Sequence, residues 1–113
     1  MDFILIYVTH PDQKAAEKIC NHLLERRMIA CVNYFPITSA SWWTGKIARC
    51  DEIVSVLKTR KGNWDQVKSE VKRLHPYKIP CIMKFPVEAN KEYEDWIQDE
   101  TQPVKALKQK NKK

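Results

Sequence analysis

The sequence predicts an α+β fold of the ferredoxin-like kind, β-α-β-β-α-β followed by a C-terminal helix. Three observations point there. A short apolar run opens the chain and is followed at once by a helical stripe. A stretch of about 30 residues in the middle has strand character throughout, with a turn signal in it. A second helical stripe then stops at a proline and gives way to an alternating run. The order yields two βαβ-like halves, with helices on one face of an antiparallel sheet.

FILIYVT (3–9) is continuously apolar and rich in β-branched and aromatic residues, as in a central strand buried on both faces. Pro11 and Asp12 open the first helix. Ala15, Ala16, Ile19, Cys20, Leu23, Leu24 and Met28 form its apolar stripe, and Lys14, Glu17, Lys18, Glu25 and Arg26 the polar side. His22 falls beside that charged side and is expected in solvent. Residues 30–59 are expected as two long strands joined at Thr44-Gly45, because glycine tolerates positive φ. Pro36 has no N–H to donate, so the first of these strands is bent or at an edge.

Asn63 is placed to cap the second helix, with Gln66 completing a capping box and Trp64, Val67, Val71 and Leu74 facing inward. His75 and Ile79 each precede a proline and are driven out of helical angles, so the helix ends at about Leu74. Cys81, Met83, Phe85 and Val87 then alternate with Ile82, Lys84 and Pro86 as in a strand with one buried face; the cysteine side is taken as that face. Asn90 caps a last helix whose Tyr93, Trp96 and Ile97 share one side.

The chain has 113 residues, enough for one domain. Its net charge of +6 is uneven. Five of the 20 basic residues are lysines after Gln102, where there is no acid; the first 101 residues carry 15 bases and 14 acids. The expected organisation is a folded domain over 1–101 and a lysine-rich, disordered tail over 102–113. A nearly neutral folded part gives no nucleic-acid footprint. No apolar run is long enough to span a bilayer, and the first one lacks the flanks of a signal peptide, so a cytoplasmic protein with no membrane contact is expected. The four cysteines form no C-x-x-C pair and are expected as reduced thiols.

With only two glycines there is no phosphate-cradling loop, and no nucleophile elbow or H-E-x-x-H is present. No spacing argues for a catalytic triad, and no enzymatic activity is expected. The acid pairs Asp51-Glu52, Glu94-Asp95 and Asp99-Glu100 sit in polar stretches and read as solvated faces. Trp42 and Trp43, near the hairpin tip, read as aromatics that pack against another subunit.

MIACVN (28–33), SASWWTGKI (39–47), LKTR (57–60) and LHPYKIP (74–80) stand in an order and separation that resemble the CutA family of divalent-cation tolerance proteins. The likeness covers about residues 3–101. It implies a tight homotrimer similar in architecture to the PII signalling proteins, long strands that pair with neighbouring subunits, and binding of copper or another divalent cation that folding does not require. The copper site it implies uses a cysteine near the end of the first strand, with histidine at and just before an HPY motif. Here the HPY histidine is His75, the position before it is Leu74, and the first-strand position is Val8. Lys78 and Cys81 replace acids found in that region of the family. His10, two residues after Val8, is close enough to stand in if the loop folds back.

The opposing roles for these residues are specific. His75 is either a metal ligand, with Cys81 as a weaker second candidate, or a cap on backbone carbonyls at the helix end. Cys81 and Met83 offer soft sulfur, but they share a side with Phe85 and Val87 and so also suit a core. The alternative to metal binding is a PII-like trimer that signals or holds a small anionic ligand in intersubunit clefts through Lys58, His75 and Tyr77. Lys58 otherwise serves a structural ion pair or extends its ammonium to water.

Overall fold

The computed structural model describes residues 3–102. Its elements follow the expected order: β1 (Phe3–His10), α1 (Gln13–Glu25), β2 (Cys31–Trp43), β3 (Lys46–Arg60), α2 (Trp64–Leu74), β4 (Ile82–Val87) and α3 (Lys91–Glu100), with one 3-10 turn at Lys61–Asn63. The four strands form one antiparallel sheet in the order β2-β3-β1-β4. The lysines of the tail lie outside the described residues.

β1 sets the two sides of the sheet. Ile4, Ile6, Val8 and His10 are buried, and the residues between them are half-buried except for Phe3 at the strand's start. The buried side meets Ile19, Cys20 and Leu23 of α1 and Val67 and Val71 of α2 in one core that also takes in Leu57. α1 begins where Asp12 accepts a 2.8 Å bond from the Ala15 N–H. It ends in a Schellman turn. Arg27 takes φ 58°, its N–H reaches the Leu24 carbonyl, and the Met28 N–H reaches that of Leu23. Met28 and Leu23 both belong to the core, so the turn is held from inside as well.

β2 and β3 pair from Cys31↔Lys58 to Trp43↔Lys46, with Thr44 (φ 50°) and Gly45 (φ 80°) at the tip. Two consecutive left-handed residues give the turn whose twist suits a tight hairpin. β1 covers β3 only from Ile53 onward, so the hairpin overhangs the domain and the molecule extends to 58 Å. Trp42 at the tip is 73% exposed. Pro36 lies on β2, an edge strand, as expected.

Several local expectations are corrected. β4 does alternate, but with the opposite side inward. Ile82 opposes Val8 and packs on the core, while Met83 and Phe85, opposite Tyr7 and Leu5, lie on the other face and are 43% and 46% exposed. Lys84 shares the helix-side alternation with Ile82 because its long stem lets the ammonium sit 5.1 Å from the Trp64 ring. Asn63 stands at the start of α2 without capping it; its amide donates to the Met28 carbonyl and Thr59 Oγ1 instead. Asn90 precedes α3, yet its side chain goes to Glu92, and buried Glu94 accepts the Ala89 N–H. Glu94 is therefore not on a solvated face. Neither is His22, whose Nε2 meets Glu70 at 2.8 Å and ties α1 to α2.

Candidate functional site

The connector over residues 75–81 folds back onto the end of β1. Pro76 and Pro80 keep it from continuing α2, and His75 already takes extended angles, φ −74° and ψ 137°. Its imidazole does not serve the carbonyls at the end of α2. The Nε2–H donates to the Thr9 carbonyl, 2.7 Å away on β1, and Nδ1 accepts the Tyr77 N–H at 3.1 Å. The expected cap on the helix end does not form: the carbonyl that His75 satisfies belongs to a strand. Both ring nitrogens of His75 are thus engaged.

His10 lies directly beneath. The two rings stack at 5.3 Å with a 26° tilt, and Tyr77 leans on His75 at 4.8 Å. His10 Nε2 is 2.7 Å from Ser55 Oγ on β3, and its Nδ1 is buried with no hydrogen-bond partner among the described residues. Burial above all, and then the His75 neighbour, push the His10 pKa down to about 4, against a smaller upward pull from Glu52. Burial also lowers the His75 pKa, opposed by the Thr9 carbonyl and Glu52. Both imidazoles are neutral at pH 7.

Glu52 joins these rings to the rest of the site. It accepts a 2.6 Å bond from the Tyr77 hydroxyl. Burial first, and this carboxylate second, raise the Tyr77 pKa. The same two causes raise that of the Cys81 thiol, which is half-buried just before β4. Glu52 also lines an open depression of about 670 Å³ between the start of α1 and the hairpin, together with Asp12, Asp51, Pro36 and Ile37. Among the described residues no lysine or arginine lines it, and its acidic lining gives a negative field.

Of the residues singled out in the sequence, His75, Tyr77 and Cys81 come together here. Lys58 does not. It opposes Leu5, six positions from Glu52 along β3 and so about 20 Å away. Its ammonium sits 5.4 Å from the Tyr93 ring. Val8 is buried in the core and Leu74 packs against it, so neither family position offers a ligand. Trp42 and Trp43 are far out on the hairpin. Glu52 went unnoticed in the sequence because an adjacent acid pair looks solvated. A tyrosine next to a proline-fixed turn, in need of a partner for its hydroxyl, was the available signal. Among the described residues, no group of three or more His, Cys, Asp or Glu side chains is arranged to hold a metal ion. The pair His75 and Cys81 does not make a closed site within one chain.

The family model described as CutA1 divalent ion tolerance protein matches residues 4–100. The chain belongs to the CutA family. It is 47% identical over 97 residues to the divalent-cation tolerance protein CutA of Archaeoglobus fulgidus, covering 85% of this chain and 94% of the relative. Identity to the CutA of Pyrococcus horikoshii is 40% over 99 residues, covering 87% and 97%. Among solved structures, a periplasmic divalent cation tolerance protein CutA from A. fulgidus superposes with a TM-score of 0.86 at 42% identity, covering 88% of this chain and 99% of that one. CutA1 from P. horikoshii gives 0.85 at 41%, covering 88% and 98%. CutA membership supports a role in divalent-cation tolerance, and the α+β fold with its four-stranded antiparallel sheet agrees with these structures. No helix among the described residues is long and apolar enough to cross a membrane.

Proposed function

We propose that the chain works as a homotrimer that binds copper or another divalent cation and so contributes to divalent-cation tolerance, without catalysing a reaction. The observation that carries this reading is the gathering at one end of the sheet of two neutral imidazoles, a carboxylate and a thiol, short of a closed ligand set. Neutral nitrogen and sulfur donors suit copper better than hard cations. The nearby depression adds a negative field that draws cations.

The trimer has its own support. The sheet face away from α1 and α2 presents Leu5, Tyr7, Phe35, Met83 and Phe85, of which Phe35, Met83 and Phe85 are exposed. Trp42 and Trp43 lie bare on the overhanging hairpin. Apolar surface of that extent in one chain calls for a partner, and a symmetric copy is the economical one. Four unpaired thiols suit a reducing compartment, which favours the cytoplasm. The alternative is an anionic ligand in a PII-like cleft between subunits; Lys58 stands at the far end of β3 from His75 and Tyr77, so that cleft needs a second subunit to bring them together.

The test pairs two measurements on protein purified without a histidine tag. Sedimentation equilibrium at micromolar concentration is expected to give three times 13.4 kDa. Copper titration against a chelator of known affinity is expected to give saturable binding in whole numbers per trimer. A 13.4 kDa species that binds no copper, zinc or nickel removes the reading.

A further inference from the structure

Lys58 and Glu52 point to the same face of β3, with Val56 and Val54 between them. The register extends this face across the sheet: Lys58 opposes Leu5, Val56 opposes Tyr7 and Val54 opposes Phe35. It is the face turned away from α1 and α2, where Met83 and Phe85 stand exposed.

Neither charge has an ionic partner in its own chain. Both residues are half-buried. The Lys58 ammonium rests 5.4 Å from the Tyr93 ring, and no carboxylate among the described residues pairs with it. Glu52 accepts the Tyr77 hydroxyl on Oε2, and among the described residues no lysine or arginine pairs with it. A charge half-withdrawn from water is stabilised by an opposite one, and the cost of lacking it rises when the face is covered. The two cannot meet within one chain, because six residues of strand hold them about 20 Å apart.

We propose that Lys58 of one copy pairs with Glu52 of the next across this face. The proposal rests on the homotrimer reading above. The face is self-complementary: a cation at one end, an acid at the other, apolar side chains between. Each copy then gives Lys58 to one neighbour and Glu52 to the other, a head-to-tail contact that closes as a ring. The apolar strip supplies the adhesion, and the charge pair fixes how the copies are offset, since any other offset covers both charges unpaired. The same contact brings Lys58 beside the Tyr77 and His75 of the next copy, with its charge taken up by Glu52 instead of by an anionic ligand. Asp12 and Asp51 keep the adjoining depression acidic once Glu52 is paired.

The experiment uses the full chain. A zero-length carbodiimide joins lysines to carboxylates in contact, and at about 20 Å a Lys58–Glu52 link within one chain cannot form. Wild type is expected to give covalent dimers and trimers whose digest contains Lys58 joined to Glu52. Sedimentation then compares Lys58→Glu, Glu52→Lys, Glu52→Gln, which keeps an oxygen for the Tyr77 hydroxyl, and the exchange of both charges in one chain. Each charge reversal is expected to raise the concentration of half-assembly roughly a hundredfold or more, and Glu52→Gln roughly thirtyfold. The double exchange is expected to return toward wild type, which loss of folding stability alone does not produce. Single variants that assemble like wild type, a double exchange no better than the worse single, or Lys58 linked to another carboxylate overturns the pair and leaves the trimer standing. A wild type that sediments as a monomer removes the trimer reading, and the pair with it. If circular dichroism shows that the charge reversals do not fold, the wild-type link decides: Lys58 joined to Glu52 supports the pair, and its absence overturns it.

Discussion

The Tyr77 hydroxyl donates to Glu52 at 2.6 Å, and it is this bond that fastens the connector to β3. The other ties of the connector run to β1, through the His75 bond to Thr9. Tyr77→Phe keeps the ring on His75 and removes the β3 tie alone. A hydrogen bond to a partly buried carboxylate contributes about 1.5–3 kcal/mol. We expect a loss of that size in urea denaturation, together with faster amide exchange in residues 76–81 and unchanged exchange in α1. Equal acceleration throughout the domain would show that the tie is not local.

Acid is expected to unfold the metal-free protein through its buried imidazoles. His10 titrates at about 4 when folded and near 6.5 when unfolded, because burial disfavours its charged form. A base whose pKa is lowered by folding leaves the unfolded chain with more bound protons between those two values. Stability is therefore full above pH 6.5 and falls as the pH drops toward 4. The drop from 6.5 to about 4 corresponds to roughly 3 kcal/mol. His75 is lowered as well and adds to the same slope. Denaturation midpoints measured in chelator from pH 7.5 to 4 should show this fall, and His10→Phe should flatten it. A slope unchanged in His10→Phe would place the protons elsewhere.

The order of elements, the hairpin turn and the end of α2 were legible because each depends on local chemistry. Thr44-Gly45 needs positive φ, and Pro76 forbids helical angles at His75. What failed depended on the third dimension. Alternation in β4 was visible, but which side faced the helices was not, since Lys84 can share the core side by extending its ammonium over Trp64. Asn63 looked like a cap and became a tether for the Met28 carbonyl because β3 runs beside it. At the site, His75, Tyr77 and Cys81 could be picked out from one short stretch. Glu52 and Ser55 belong to a strand 20 or more residues away and join them only through the sheet register.

The hairpin tip offers a test of backbone conformation without packing. Gly45 has φ 80°, and a Cβ placed on it meets nothing within 4 Å. Gly45→Ala therefore clashes with no neighbour and pays only for the left-handed angle, about 1 kcal/mol. The expected result is a lower melting temperature with an unchanged oligomeric state. A melting temperature equal to wild type would mean that the turn relaxes to another type.

The last prediction concerns the open sheet face and follows from the proposed trimer. Phe85 opposes Leu5 in the sheet, and Met83 opposes Tyr7, so the two exposed side chains form one strip with β1. Neither α1 nor α2 needs this strip to complete the core, which is built from the other side through Ile4, Ile6 and Ile82. Phe85→Glu should therefore leave the subunit folded. At an interface, however, it buries an unpaired carboxylate and removes an aromatic anchor, and each of these costs a few kcal/mol per subunit. Three copies of that cost should shift the assembly to monomers at micromolar concentration while far-ultraviolet circular dichroism keeps its native shape. Phe85→Leu, which preserves the apolar surface, should sediment like wild type. If Phe85→Glu stays as large as wild type, the copies do not meet across this face, and Trp42 and Trp43 on the hairpin become the surface to alter next.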